Sequence, residues 1–342
     1  MDPLRSDFNL ASIDKFPLNQ GFVSSALRQL SSCLLAAVSV LAPMVATQAS
    51  TEGSGPAESV VKWTMINVSP NLYQADCHLV EFPDGEKVLI DAGEAGDAPR
   101  GLVMNWMIHH QITHLDLVVI SHFHKDHYVR LRNLIEAGIR VDRVAVNVPF
   151  ENPVIRAECP WGYDPADVQA LLKLFRDRSI PYFTPKAGDR LIGVPLPNGR
   201  LAALDVVCLY DGVHTPVGKT DTNDTSIILR LSNGRTRALF TGDLNWGLGS
   251  WLALSKFDLS ADILKVPHHG TERAAPDTLF DRVNPKAALV PAPKVLWLSI
   301  RSKRIRTYFG DRHIPTYVSG IDGDVTVSMS DGGFQVETEH SR

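Results

Sequence analysis

Cysteine is scarce in this chain, with four in 342 residues at Cys33, Cys77, Cys159 and Cys208. Their wide spacing leaves no CxxC pair to hold a structural zinc and no disulfide framework. If Cys33 is removed with a leader, at most one disulfide can form and one thiol is left over. A basic excess is missing too. Lys and Arg number 34 against 38 Asp and Glu, for a net charge of −4, so the charge balance does not advertise a protein that tracks nucleic-acid phosphates. The one dense basic run, Arg301, Lys303, Arg304 and Arg306, reads as a solvated surface face. No internal repeat is visible. A long apolar run occurs only once, LSSCLLAAVSVLAPMVA from Leu30 to Ala46, and it is shorter than the roughly 20 residues a membrane span needs. Arg28 precedes it and Thr47-Gln48-Ala49 closes it with a small residue. Residues 1–49 therefore read as a signal peptide, with a retained N-terminal membrane anchor as the alternative. The mature chain is expected to have no membrane span, which excludes a channel, and to be exported to a periplasm or beyond.

What remains is a chain of ordinary globular make-up, 44% hydrophobic and 21% charged, which excludes disordered and fibrous classes. Residues 50–59 (STEGSGPAES) are small and polar and read as a linker. Residues 60–342 alternate strand and helix patterns. Strands are predicted at Val61–Val68, Cys77–Phe82, Lys87–Ile90, Leu115–Ile120, Arg143–Val148 and Asp262–Val266. A hairpin is predicted from Ser226–Leu231 and Arg237–Phe240 across Asn233-Gly234. Helices are predicted at Arg100–His110, Tyr128–Ala137, Asp164–Arg178 and Pro276–Val283, with Asp164-Pro165 as cap and first turn of the third. Residues 184–222, rich in Pro, Gly and Asp, read as loop around one strand at Leu204–Leu209. Strands return at Ala287–Val290, Pro315–Val318, Asp324–Met329 and Gly333–Glu337. Mixed elements of this kind suggest one α/β domain with two sheets.

The chemistry is concentrated in Ser121-His122-Phe123-His124-Lys125-Asp126-His127, directly after the apolar strand LDLVVI. In an extended segment His122 and His124 point to the same side. Asp126 and His127 follow where the chain turns into a helix, and can face a second point beside the first. Imidazole nitrogen and carboxylate oxygen suit Zn²⁺, and also Mn²⁺ or Fe. Further carboxylate and histidine groups wait at later strand ends, in Thr241-Gly242-Asp243 and in Pro267-His268-His269-Gly270.

HxHxDH after an apolar strand, TGD later and HHG(S/T) after another strand resemble the metallo-β-lactamase superfamily, closest to the hydrolase domains of ComEC-type competence proteins and their stand-alone relatives. Leu89-Ile90-Asp91-Ala92-Gly93, Gln74-Ala75-Asp76 and Asn223-Asp224-Thr225-Ser226 fall in the order that family shows. The resemblance covers residues 60 to about 335. It implies an αββα sandwich, two mixed sheets packed face to face with helices outside. It implies His122 and His124 as ligands of a first metal, Asp126 and His127 as ligands of a second, and Asp243 as the bridge. His269 would be the last ligand, because the family pattern is His followed by Gly, and His268 would then sit near the substrate. Asp91 would orient a ligand imidazole. The implied cofactor is Zn²⁺, two ions per chain.

Three features depart from the family pattern. Between HxHxDH and TGD, where relatives carry a third-motif histidine, this chain has only His214. Tyr128-Val129-Arg130 replaces the two glycines that follow the first motif, and would crowd the pocket or join it. Pro291–Leu298 lacks the histidine of the ComEC-type pattern. Two divalent ions set against Asp126 and Asp243 leave a positive site, suited to an anionic substrate. The expected activity is metal-dependent hydrolysis of a phosphodiester or phosphoester, with Asp126, His268 and Asn223 as the catalytic group. Hydrolysis of a carboxylic ester, thioester or lactone is the alternative. A non-catalytic metal- or partner-binding protein, or a competence-related component, is a third reading. A small-molecule or phosphoester substrate is favoured over nucleic acid.

Overall fold

The computed structural model describes residues 59–341, apart from 97, 100, 150–161, 212, 213 and 218–220. The expected leader at 1–49, nearly all of the linker and Cys159 lie outside the described residues. Cys77 and Cys208 are buried free thiols.

Strands β1 (Val61–Met65), β2 (Cys77–Glu81) and β3 (Lys87–Ala92) form a meander, followed by α1 (Leu102–His109), β4 (His114–Leu115) and β5 (Leu117–Val119). Two short helices, α2 (Lys125–Tyr128) and α3 (Leu131–Glu136), lead to β6 (Arg140–Val141), β7 (Val144–Ala145), α4 (Pro165–Asp177) and β8 (Tyr182–Phe183). The second half runs β9 (Arg190–Pro195), β10 (Leu201–Cys208), β11 (Ile228–Asn233), β12 (Thr236–Phe240), α5 (Trp246–Leu254), β13 (Ile263–Lys265), α6 (Asp277–Val283), β14 (Ala287–Val290), α7 (Lys294–Leu298), α8 (Lys303–Asp311) and β15 (Thr316–Val318). A short α9 (Ser319–Asp322) and the hairpin β16 (Val325–Ser330) and β17 (Gly333–Thr338) finish the fold.

One sheet has the order β17-β16-β1-β2-β3-β5-β7-β8 and the other β15-β14-β13-β12-β11-β10-β9. Each is antiparallel in one half and parallel in the other. Period-two alternation decides which side chains meet between them. Leu229, Leu231, Ala238 and Phe240 pack with Trp63, Val80 and Ile90 in the core between the sheets, while Ile228 and Leu239 face the opposite way, toward Leu252 and Phe280. The outer face of the first sheet is covered by Val103, Met107, Leu134, Leu171 and Phe175 from α1, α3 and α4. Two mixed sheets face to face with helices outside is the αββα sandwich that the sequence implied.

Details depart from expectation for local reasons. Residues 184–222 hold two paired strands where one was expected. Pro195 ends β9 and Asn198-Gly199 makes the turn, with Gly199 at φ 78°, so the punctuating residues are those of a hairpin. The helix expected at Tyr128–Ala137 starts earlier and breaks at Val129-Arg130, where the Arg130 N–H donates to the Ala92 carbonyl at 2.9 Å. The basic run is not a free solvated face. Arg304 pairs with Asp277, donates to the carbonyls of Ala274 and Ala275 at 2.9 Å and lies over the Trp246 ring. Arg306 donates to the Trp297 and Ser299 carbonyls, and Arg301 pairs with Glu272. Only Lys303 of the four has no such role, so the run is a poor phosphate track.

Candidate metal centre

The parallel strands of both sheets deliver their C-terminal ends to one place, where open α/β sheets form sites. Beyond β5 the chain stays extended, and Phe123 points into the outer core. His122 and His124 therefore face the opposite side together, with Nε2 of one and Nδ1 of the other 3.2 Å apart. The chain then coils into α2, which carries Asp126 and His127. The Asp126 backbone is pinned, its carbonyl accepting the Asp76 N–H at 2.9 Å.

The second sheet supplies Asp243 and His269. Asp243 follows Gly242 (φ 49°) after β12, and its N–H donates to Ser226 Oγ at 3.0 Å. His268 and His269 both take left-handed backbone angles, φ 49° and 52°, a strained choice for non-glycine residues that clusters at functional sites. That turn aims His269 back under the sheets. Its Nε2 lies 3.1 Å from Asp243 Oδ2 and 3.4 Å from Asp126 Oδ2. His127 Nε2 lies 3.3 Å from the same Asp243 oxygen and 3.9 Å from Asp126 Oδ1. Ligands about 2.1 Å from a tetrahedral metal stand about 3.4 Å apart, which is close to the spacing of His127 and His269 from the one Asp243 oxygen, while Asp126 meets each imidazole through a different oxygen.

The tautomers agree with that use. His127 Nδ1 sits 2.8 Å from Asp91 Oδ2, and His269 Nδ1 sits 2.8 Å from the Pro291 carbonyl oxygen. Each Nδ1–H is donated backwards, leaving Nε2 toward the centre. Both Nε2 atoms are buried without a hydrogen-bond partner. A divalent cation is the group that would satisfy them. Asp91 is itself fixed by the Ser121 N–H and Oγ–H, each at 2.7 Å, and stands at φ 60°.

Behind the centre lies a layer that sequence reasoning missed. Lys265, 1% exposed, pairs with Asp76 and lies 3.4 Å from Asp243 Oδ1. Asp76, His127, Asp243 and His269 bring ligand atoms within 4.8 Å of one another. Asp76, however, meets His127 at Nδ1, 3.5 Å away, on the side turned from Asp126, and its charge is already answered by Lys265. It supports the centre from behind. The available sign was a lysine inside the apolar strand Asp262–Val266, since lysine is almost never fully buried unless paired.

Electrostatics follow the geometry. Burial opposes charge on Asp243, but His269, His127 and Lys265 outweigh it and hold the carboxyl well below its ordinary range. Burial likewise opposes a proton on His269, yet the neighbouring carboxylates of Asp243 and Asp126 raise it to about 10. The carboxylates thus call for positive charge at this point. Burial, then His127 and His124, push His122 well down, and burial pushes His268 down to about 4. Both shifts favour the neutral ring.

A cavity of about 770 Å³ opens over the centre, lined by His124, Asp126, Asn223, Asp243 and His268, with Lys125, Arg130 and Arg273 around it. All eight predicted site residues are therefore at the centre or its wall. Arg130 joins the pocket and pairs with Glu94 at 2.7 Å. Tyr128 does not: it is buried, and its hydroxyl donates to Asp167 at 3.1 Å. His214 is exposed and pairs with Asp211.

A double-sheet sandwich with histidines and carboxylates gathered at its strand ends defines a fold with a candidate metal site. Residues 70–293 match the family described as the metallo-beta-lactamase superfamily, and the chain belongs to that superfamily. It is 23% identical over 263 residues to the uncharacterized protein YcaI of Escherichia coli K12, covering 75% of this chain and 29% of that one. It is 25% identical over 186 residues to ComE operon protein 3 of Bacillus subtilis, covering 54% of this chain and 20% of that one. The chain thus spans less than a third of the length of these relatives. The solved metallo-beta-lactamase fold protein YhfI from Bacillus subtilis aligns with 81% of this chain and 100% of its own length, at 12% identity and a TM-score of 0.49.

Proposed function

We propose that this chain is an exported, metal-dependent hydrolase of phosphodiesters or other phosphoesters. The observation that carries the reading is the convergence of the buried His127 and His269 Nε2 atoms on one Asp243 oxygen at coordination spacing, with the Asp126 carboxylate beside them. In this reading those four residues hold one metal, and His122 and His124 with the shared Asp243 hold a second. Zn²⁺ suits the donor set, as do Mn²⁺ and Fe. Bound there, such ions supply Lewis acidity and lower the pKa of water to roughly 7.

The chain's own groups then do the rest. Asp243 would hold metal through its oxygen between His127 and His269, its other oxygen being kept by Lys265, while the partly exposed Asp126 carboxylate would orient the reacting water from the cavity side. His268, neutral at pH 7, hydrogen-bonds the oxygen on which charge develops. Asn223 lines the same cavity. Lys125, Arg130 and Arg273 line the cavity together with Glu94, Asp126, Asp221 and Asp243, so the positive charge that would favour an anionic substrate is that of the bound ions. The net charge of a two-ion centre is what supports phosphoesters over neutral esters.

The test is elemental analysis of the purified protein together with hydrolysis of bis-p-nitrophenyl phosphate and p-nitrophenyl acetate. Two metals per chain with chelator-sensitive phosphodiester cleavage, lost in Asp126→Ala, is the expected result. Cleavage of the acetate alone would move the activity to carboxylic esters, and failure to take up metal would leave a binding protein.

A further inference from the structure

The two metal positions are not equally furnished. Four side chains surround one of them. The other has His122 and His124, whose nitrogens converge to 3.2 Å, and a share of Asp243. His214, the histidine between the two main motifs, is exposed and paired with Asp211 at 2.6 Å. We propose that the side-chain oxygen of Asn223 is the missing ligand at the His122–His124 position. The proposal rests on the two-metal reading above.

Asn223 is only 6% exposed, and its Oδ1 is buried without a hydrogen-bond partner. It lines the same cavity as His124, Asp126 and Asp243. A buried amide oxygen left unpaired is costly, so such a group in a native fold calls for an ion or water to satisfy it. Amide oxygens are ordinary ligands of divalent cations.

The backbone ties Asn223 to both segments that carry that position's other ligands. It sits in the 3-10 turn Thr222–Thr225. Ser226 Oγ donates to the Asn223 carbonyl at 2.6 Å and accepts the Asp243 N–H at 3.0 Å. The Ile227 N–H donates to the Ser121 carbonyl at 2.9 Å, one residue before His122. The turn is thus tied on one side to Asp243 and on the other to the strand end that carries His122. Gly242 fits this clamp because a Cβ there would lie 2.5 Å from Ser226 Oγ. A neutral amide binds Zn²⁺ less strongly than an imidazole does. The position with four side chains therefore fills first and the His122–His124 position second.

The experiment is a calorimetric Zn²⁺ titration of the full-length protein after chelation, with elemental analysis of the saturated form. Wild type is expected to take up two ions, one tightly and one more weakly. Asn223→Ala should weaken the second step by about tenfold or more, leaving the tight step unchanged as a control for folding. Asn223→His should strengthen the second step by a similar factor. Equal second steps in wild type and Asn223→Ala would overturn the proposal, as would a second step lost in His268→Ala and kept in Asn223→Ala. A wild type that takes up one ion at every concentration also overturns it. A wild type that takes up none overturns the two-metal reading itself.

Discussion

Lys265 Nζ lies 3.4 Å from Asp243 Oδ1, while Asp243 Oδ2 is the oxygen that meets His127 and His269 at 3.3 and 3.1 Å. The ammonium holds one carboxylate oxygen so that the other is presented to the centre. Lys265 also pairs with Asp76 and donates to the Gly242 carbonyl at 2.9 Å. Burial opposes its charge, but Asp76 and Asp243 outweigh that and raise its pKa. Replacing it with an apolar group of similar length strands two buried carboxylates. Lys265→Met should destabilise the metal-free protein by about 3–5 kcal/mol, the cost of breaking a buried pair by removing one partner. Adding Asp76→Asn should recover part of the loss. Urea denaturation of both variants checks this, and strictly additive losses would mean that Lys265 and Asp76 do not act as a pair.

Gly93 is where the first sheet touches the centre. A Cβ there would lie 1.6 Å from the Asp126 carbonyl oxygen and 2.9 Å from that of Asp76. Both contacts are backbone, so neither can swing aside. Gly93→Ala is expected to shift α2 and cost about 1–3 kcal/mol as an overpacking change. Metal uptake should fall along with stability, because the displaced residue is Asp126. Denaturation and elemental analysis on the same sample test it. A variant with wild-type metal content would show that the helix can move without disturbing its ligand.

The sequence spelled out the ligands more fully than their support. HxHxDH carries its geometry locally, since one extended segment and one helical turn place all four side chains. Asp243 and His269 could be matched because each follows a strand and sits next to glycine. The pairing of β11 with β12 was legible from Asn233-Gly234. Asp76 and Lys265 were not legible as a pair, because they lie on different sheets and meet only when the sandwich closes. The β9–β10 hairpin was hidden by the same prolines and glycines that build its turn. Arg304 and Arg306 looked solvated because nothing local shows that the carbonyls of Ala274 and Trp297 lie within their reach.

Metal should be part of the fold's stability. His127 and His269 each keep a buried Nε2 unpartnered, and buried carboxylates crowd the same point. A ligand that binds only the folded state, at about 1,000 times its dissociation constant, stabilises by about 4.1 kcal/mol. Chelation should therefore lower the melting temperature, and restoring Zn²⁺ should bring it back. An unchanged melting temperature on chelation, in protein shown to have lost metal, would mean that the centre contributes nothing to folding.

Asp164 links helix capping to the pocket. Its Oδ1 accepts the N–H groups of Ala166 and Asp167 at 3.1 and 3.3 Å, with Pro165 in the first turn of α4. Two residues earlier, Gly162 packs so closely on His124 that a Cβ would lie 2.6 Å from the ring. The cap thus fixes a segment that seats a metal-facing histidine. The Asp167 N–H, helped by Lys125, holds the Asp164 carboxyl below its ordinary 3.8 against the opposing effect of burial. For a carboxyl lowered by folding, the contribution is present above 3.8 and is lost as pH falls through the folded-state value. Asp164→Ala should cost about 1 kcal/mol at neutral pH, and Asp164→Asn, which keeps the capping oxygen but not the charge, less. Denaturation of wild type and Asp164→Ala from pH 7 down to about 3 should show the two curves converging. A gap that stays constant over that range would mean that the carboxylate's charge has no part in the cap.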